Sequence, residues 1–379
     1  MQLLIGGSPC THWSIAQTKN RETTAEGIGW ELFLNYRIAR DKYQPDYFLY
    51  ENNKSMSKAI REQITAELGV EPVLINSALV SAQNRQRLYW VGKRELDGTY
   101  SQVPVEQPED RGILLRDILE TGTAWQEKAY NLTTRCCSAI PSDTLKRHRH
   151  TMVAVPCCMR YERSPEAKRL RKQYEAHEIS HGYHEFSELH PRTDGKSNTL
   201  STVLKDNPIC EPVIEMDESG HYAISVADGK KYPVYEVRNG LITVKDKQYP
   251  IKLADGFYII RNLTVCECMR LQTVPEAYVF PVSDSQAYKM LGNGWTVDVI
   301  AHIMSHFDGL TTEPVEVLSM YDGMSCGHIA LDKLGAEITA YYATEIDKYA
   351  IQTTQHNFPE TIQLGDAFQV RNDDWRVKE

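Results

Sequence analysis

The run Gly6-Gly7-Ser8-Pro9-Cys10 follows the apolar stretch QLLI. A cysteine at the mouth of a buried strand, behind a turn stiffened by Pro9, is placed as a nucleophile. A helix after the loop would help to hold its thiolate. The alternative is a buried structural thiol, the commoner fate of a lone cysteine. Glu51 ends the run YFLYE. Facing the same pocket as Cys10 it is a candidate acid, and facing outward it is a solvated charge. In QNRQR, Arg85 and Arg87 stand two residues apart. On an extended chain both point to one side and suit paired anion contacts, with a solvated strand edge as the alternative.

A second group lies far along the chain, in VLSMYDGMSCGHIAL. A strand runs into a small-residue turn and then a helix. Gly323 and Gly327 would let the backbone approach a ligand beside the free amides of the helix start, although the same spacing describes a tight β–α turn. Glu345 in YATEID and Asp366 in LGDAF end the next two apolar runs. The first suits ribose hydroxyls and the second the amino group of an adenine. Three such ends in series describe an adenosine-containing cofactor across the edge of an α/β sheet.

The elements that must hold these residues alternate in type. QLLIGG, DYFLYEN, PVLINSALV and RLYWVG read as strands, with WELFLNYRIARDKY and MSKAIREQITAELG as helices between them. VEVLSMYDG, ITAYYATEID and TIQLGD repeat the alternation near the end, with CGHIALDKLG and KYAIQTTQHNF as helices. Such alternation predicts a doubly wound, mostly parallel sheet. Residues 96–258 change character, with short strand-like pieces such as HYAISV and YPVYEV and with DG and NG dipeptides suited to hairpins. They predict a separate, irregular β-rich domain, flanked by core segments 1–95 and 259–379.

With 379 residues, 41% hydrophobic and 25% charged, the chain has the composition of a globular protein. No apolar run approaches membrane-spanning length, and the first ten residues lack the basic region of a secretory signal. The expected location is the cytoplasm, with no membrane partner. Nine cysteines without CxxC spacing predict free thiols. The adjacent pairs at 136–137 and 157–158 lack zinc-site spacing, and no metal is expected. The net charge is −9. Yet Lys146 to Lys172 holds nine Lys/Arg against two Glu, a basic island in an acidic protein. Alone, such an island reads as a solvated helix face.

Taken together, the motifs resemble the cytosine-carbon-5 DNA methyltransferase family. GGSPC resembles its Pro-Cys motif, and ENN its Glu-Asn-Val motif with Asn53 as a departure. QNRQR matches its Gln-x-Arg-x-Arg motif. Arg261, Leu263, Thr264, Glu267, Arg270, Leu271, Gln272 and Pro275 match a further helix motif. GNGWTV resembles its Gly-Asn-Ser-Val segment, with Gly294 and Trp295 as departures, and 194–203 resembles a stretch near the end of its recognition domain. The loop after Cys10 and SMYDGMSCG are similar to the de novo eukaryotic-type branch. The motif order is permuted: the family's cofactor motifs ordinarily precede the catalytic cysteine, whereas here they come last. A cut at a surface loop is physically easy, and it predicts that residues 370–379 lie near Met1.

The resemblance implies an S-adenosylmethionine-dependent methyltransferase fold with an inserted target-recognition domain. It implies methyl transfer to carbon 5 of a flipped-out cytosine in double-stranded DNA. By analogy Cys10 attacks ring carbon 6, Glu51 engages ring nitrogen 3, Arg85 holds the base carbonyl or the nucleophile region, and Arg87 holds a phosphate. Pro9, Asn293, Tyr321, Asp322, Gly323, Gly327, Glu345, Ile346 and Asp366 become the cofactor-binding set. The loop 11–29 should close over DNA on hinges at Gly27 and Gly29, with Ser14 or Gln17 filling the vacated stack. Lys146, Arg147, Arg149, Arg169 and Lys172 become phosphate contacts. A cognate restriction nuclease, and either a monomer or a homodimer, are compatible with this reading. The rivals are a transfer-RNA cytosine-5 methyltransferase and a catalytically silent DNA-binding relative.

Overall fold

Local chemistry sets the first elements. Ser57 caps one helix by accepting the Ile60 amide at 3.2 Å, and Gly69 ends it with φ 76°. Between them Ile60, Ile64 and Leu68 fall on one buried face. The computed structural model describes residues 1–15, 21–157, 159–163, 165–178, 187–191, 214–216, 222–225 and 231–372.

The chain begins with β1 (Gln2–Gly6), α1 (Ile28–Tyr43), β2 (Tyr47–Asn53), α2 (Lys58–Leu68), β3 (Pro72–Asn76), β4 (Gln86–Arg94) and β5 (Tyr100–Gln102). Its middle carries α3 (Pro141–Arg147), β6 (Met152–Cys157), β7 (Met159–Arg163), α4 (Pro165–Glu175), β8 (Ser187–Pro191), β9 (Ile214–Met216), β10 (Tyr222–Ser225), β11 (Lys231–Arg238), β12 (Leu241–Val244), β13 (Lys247–Pro250) and β14 (Gly256–Asn262). It closes with α5 (Val265–Leu271), α6 (Asp284–Asn293), α7 (Val297–Met304), β15 (Val315–Met320), α8 (Cys326–Leu334), β16 (Ile338–Thr344), α9 (Lys348–Asn357), β17 (Ile362–Gly365) and α10 (Ala367–Asn372). No helix among the described residues is long and apolar enough to cross a membrane.

Two compact units result. The first holds Met1–Ile118, Lys128–Arg135 and Val265–Glu379, and the second Leu119–Glu127 and Cys136–Thr264. The division falls later than the expected break at residue 96. An Asp97-Gly98 turn, with Gly98 at φ 83° and the Asp97 carboxylate accepting the Thr99 amide, returns the chain as β5 along β4. Residues 128–135 stay with the first unit because Lys128 Nζ donates to the carbonyls of Ala78, Ser81 and Ile113.

In the first unit an eight-stranded sheet runs β17-β16-β15-β1-β2-β4-β3, with β5 on β4. The pairs from β17 to β2 are parallel, and β4 is antiparallel to β2, β3 and β5. The connection after β15 leads toward β17 and the one after β1 leads the other way, toward β3. The two turns therefore leave adjacent strands at a switch point, where doubly wound sheets bind ligands. Leu4, Phe33, Tyr36, Phe48, Tyr50, Trp90 and Met320 share one buried core there.

The second unit has a seven-stranded sheet in which β13-β12-β11-β10-β9 are consecutive and β14 joins β11 to β6, all antiparallel. Met152, Ala154, Val237, Ile242, Val244 and Ile260 form its core. Residues 194–203, matched to a family motif, lie outside the described residues. The expectation that 370–379 sits near Met1 is not met by 370–372. Arg371 lies 3.6 Å from Glu31 in the first turn of α1, whereas the Met1 amine binds the Pro314 carbonyl at the start of β15. A six-residue α10 is too short to run the length of α1, and 373–379 lie outside the described residues.

Candidate active site

β1 ends at Gly6, and Gly7, Ser8 and Pro9 lead into a 3-10 turn at Cys10–His12. The Cys10 side chain lies outside the described residues, but the turn that carries it is fixed from β2. Asn52 Nδ2 donates to the Ser8 carbonyl at 3.1 Å, and Ser8 Oγ and the Tyr50 hydroxyl are 2.6 Å apart. A Cβ on Gly7 would fall 2.7 Å from the Glu51 carbonyl and 2.9 Å from its Oε2. Only a glycine lets the Gly7–Cys10 turn approach the Glu51 carboxyl this closely.

The Glu51 carboxyl accepts two donors. Arg87 Nε lies 3.0 Å from Oε1, and the Trp295 indole N–H donates to Oε2 at 3.0 Å. The antiparallel course of β4 makes the first contact possible. It starts at the edge where the parallel strands end, and Arg87 is paired with Asn53 in register. Arg85 is placed differently. Its buried guanidinium donates to Asn131 Oδ1 and to the carbonyls of Leu132, Gly292 and Gly294 at 2.8–3.2 Å. Arg87 thus stands against Glu51, and Arg85 ties the QNRQR turn to the glycine turn after α6. Gln83 and Gln272 extend that tie: Gln83 donates to Gln272 Oε1, and Gln272 to the Leu291 carbonyl.

The loop after Cys10 is pinned at its base. Trp13 is fully buried and donates to Glu22 Oε2 at 3.1 Å, and the Gly29 amide donates to the same oxygen at 3.1 Å. His12 Nδ1 is 3.4 Å from Glu22 Oε1. Gly27 takes φ 84°, a left-handed conformation open to glycine. Gly29 lies in α1 with Trp13, Glu22 and His12 packed against its α-carbon. Ser14 is half-buried, and Gln17 lies outside the described residues.

On the neighbouring strand the turn after β15 takes three left-handed residues in five: Tyr321 at φ 58°, Gly323 at 59° and Ser325 at 57°. Such a backbone is held by its surroundings. The Tyr321 and Asp322 amides donate to Thr344 Oγ1 and O, and the Tyr321 hydroxyl donates to the Leu32 carbonyl at 2.7 Å. Asp322 is buried under three hydroxyls: Ser319 at 2.6 Å, Tyr341 at 2.8 Å, and Ser325. Burial raises its carboxyl above the ordinary range despite those bonds. Its carboxylate thus shapes the turn.

Glu345 Oε2 accepts the Gly323 amide at 2.9 Å, and Oε1 accepts those of Ile346 and Asp347. Ile346 stands 75% exposed beside it, and nothing lies within 4 Å of a Cβ built on Gly323. An exposed apolar residue, a fixed carboxylate and an open glycine turn at a switch point suit the adenosine half of S-adenosylmethionine. Asp366 accepts the Phe368 amide and caps α10. Gly327 is placed elsewhere: its α-carbon packs α8 onto β1, where a Cβ would meet Ile5 Cδ1 at 2.3 Å. Asn293 and Pro9 are exposed. Cys326 is buried, and burial pushes its thiol up to about 12.

Asn52, Trp295 and Glu22 carry much of this geometry without having been singled out from sequence. Asn52 and Trp295 were visible only as neighbours within motifs, and Glu22 had no local signal. In the second unit Lys146, Arg147, Arg149, Arg169 and Lys172 are all exposed. Arg147 is 3.6 Å from Asp143, and Arg169 3.0 Å from Glu166. Both pairs lie within single helices.

The family described as C-5 cytosine-specific DNA methylase matches residues 1–308. The Type II methyltransferase M.HpaII of Haemophilus parainfluenzae is 25% identical over 310 residues, covering 79% of this chain and 69% of that protein. The orphan methyltransferase M.SPRI of Bacillus phage SPR is 22% identical over 368 residues, covering 79% and 81%. Among solved structures, a DNMT2 mutant of Spodoptera frugiperda aligns at 14% identity over 80% of this chain and 78% of that one, with a TM-score of 0.38.

Proposed function

The chain belongs to the C-5 cytosine-specific DNA methylase family, an S-adenosylmethionine-dependent methyltransferase acting on DNA through a covalent adduct, and we propose that Cys10 is its nucleophile and Glu51 its acid. The contact that carries this reading is the meeting of the Gly7–Ser8 turn with Glu51 and Asn52 at the end of β2. It sets the acid against Gly7, three residues before the nucleophile.

In this reading Cys10 Sγ adds to ring carbon 6 of a flipped cytosine. Glu51 gives a proton to ring nitrogen 3, so charge does not build there and carbon 5 becomes nucleophilic. Bound S-adenosylmethionine supplies an electrophilic methyl to that carbon. Loss of the carbon 5 proton then expels the thiolate, and nitrogen 3 returns its proton to Glu51. Arg87, already against Glu51, is the arginine positioned for the base, and Arg85 holds the surrounding turns. The Tyr321–Ser325 turn, Glu345, Ile346 and Asp366 hold the cofactor, with Asn293 and Pro9 at its methionine end. Ser14 or Gln17 enters the vacated stack.

The second unit acts as the target-recognition domain in this reading, with Lys146, Arg147, Arg149, Arg169 and Lys172 on phosphates. A circular permutation is also part of it. Support comes from a sheet that, counted from β15, has the 3-2-1-4-5 order of a doubly wound fold. The family match also ends at residue 308, before β15. Work on DNA places the chain in the cytoplasm at the nucleoid. A nuclease sharing its site is tested by co-purification, and the choice between monomer and homodimer by light scattering.

The deciding experiment uses a kilobase duplex synthesised with 5-fluorocytosine, whose carbon 5 cannot lose a proton. The wild-type chain with S-adenosylmethionine should give a complex that survives denaturation, and Cys10→Ser should give none. A trapped complex with Cys10→Ser, or none with the wild type, refutes the assignment.

A further inference from the structure

Trp295 lies between α6 and α7, directly after the Gly292–Gly294 turn, and reaches a residue 244 positions away. An indole nitrogen donates and never accepts. It therefore favours an unprotonated oxygen, and it binds Glu51 Oε2. The other carboxyl oxygen, Oε1, faces Arg87 Nε at 3.0 Å. The two donors differ in rigidity. Trp295 is a half-buried ring held in a turn whose Gly294 carbonyl accepts from both Arg85 and Gln272. Arg87 sits on a long, flexible stem, and its Nη1 donates outward to the Gln86 carbonyl. The other ionisable groups with a charge influence here are the phenols of Tyr50 on β2 and Tyr89 on β4. Burial raises both well above the ordinary range, so they stay neutral.

We propose that Trp295 is a positioning residue for Glu51: it holds Oε2 and reserves Oε1 as the oxygen that exchanges Arg87 for a proton and the cytosine ring. The proposal rests on the reading of Glu51 as the acid. A carboxyl free to rotate would present either oxygen to the ring, with the proton on the wrong one part of the time. With Oε2 pinned, the proton on Oε1 passes to ring nitrogen 3 as the thiolate adds, and comes back to Oε1 on elimination.

The test compares Trp295→Phe, Trp295→His, Glu51→Gln and the double variant Glu51→Gln/Trp295→Phe. The readout is methyl transfer from radiolabelled S-adenosylmethionine to genomic DNA of a methylase-deficient bacterium. Trp295→Phe keeps a ring and loses the donor. Its kcat should fall about ten- to a hundred-fold, the range for a hydrogen bond to a charged group. KM for cofactor and DNA should stay within about two-fold if binding is untouched. Trp295→His restores a ring N–H and should recover part of the rate. Heat of cofactor binding, equal to wild type, separates these effects from misfolding. In the Glu51→Gln background the Trp295 change should add nothing. Trp295→Phe at the wild-type rate across the pH range, with Glu51→Gln collapsed, overturns the proposal and leaves the acid assignment standing. Glu51→Gln at the wild-type rate overturns the acid assignment, and this proposal with it.

Discussion

Substitution of Gly7 by alanine tests whether the nucleophile turn and the acid are one packed unit. The new methyl would lie 2.7 Å from the Glu51 carbonyl and 2.9 Å from Oε2. One neighbour is backbone in β2 and cannot swing away. The other is held by Arg87 and Trp295. Relief of the overlap needs the turn to retreat by several tenths of an ångström. Overpacking of this kind costs roughly 1–3 kcal/mol. For a unit of this size that is a fall in Tm of about 2–12 °C, at about 2–4 °C per kcal/mol. The same retreat stretches the 3.1 Å bond from Asn52 to Ser8 and carries Cys10 away from the acid. A misplacement of about 1 Å can cost on the order of 100-fold in rate, so trapping of 5-fluorocytosine duplex should slow by about ten-fold or more. Cofactor affinity, set on the β15–β17 side, should stay level in calorimetry. Wild-type trapping by a Gly7→Ala protein with an unchanged Tm would show that the turn and Glu51 are not in contact.

Glu22→Ala removes the acceptor of the Trp13 indole and the Gly29 amide. Truncation of a charged acceptor costs about 1.5–3 kcal/mol, so trapping should slow while the heat of cofactor binding is kept. Asp322 has its folded carboxyl raised by burial. The folded state therefore binds the proton more tightly, and the stability this contributes is present at low pH and lost as pH rises from about 4, the unfolded value. Relative to Asp322→Asn, the wild-type Tm should thus decline as pH increases, and a rising difference would refute the sign. Cys326, pushed up to about 12 by burial, should escape iodoacetamide at pH 8 in the folded protein. Mass mapping that finds it alkylated before unfolding would refute that environment.

The alternation of strands and helices was legible because parallel strands are apolar throughout and the helices between them are periodic, as in QLLIG and in Ile60, Ile64 and Leu68. The positions of Cys10, Glu51 and Glu345 followed from strand ends alone. Reading failed where a residue's task depends on a distant partner. Arg85 and Arg87 look equivalent in QNRQR, and which one meets the acid is decided by Gly292 and Gly294, some 200 residues on. Gly327 fits a ligand-turn pattern but answers to Ile5. The DG turn at 97–98 signals a hairpin without saying which sheet receives the second strand, here β5 on β4.

The pairing of β1 with β15 has a consequence for biosynthesis. The segments it joins lie about 313 residues apart, so β1 leaves the ribosome long before the strand that will flank it. At roughly 5–20 residues per second the interval is about 15–60 s. Throughout it a mostly apolar strand has β2 on one edge and nothing on the other, the state in which unpaired edges recruit foreign strands. The Gly7–Cys10 turn is thus translated long before the strand beside it, and the nascent chain is a natural client for a chaperone that shields strand edges.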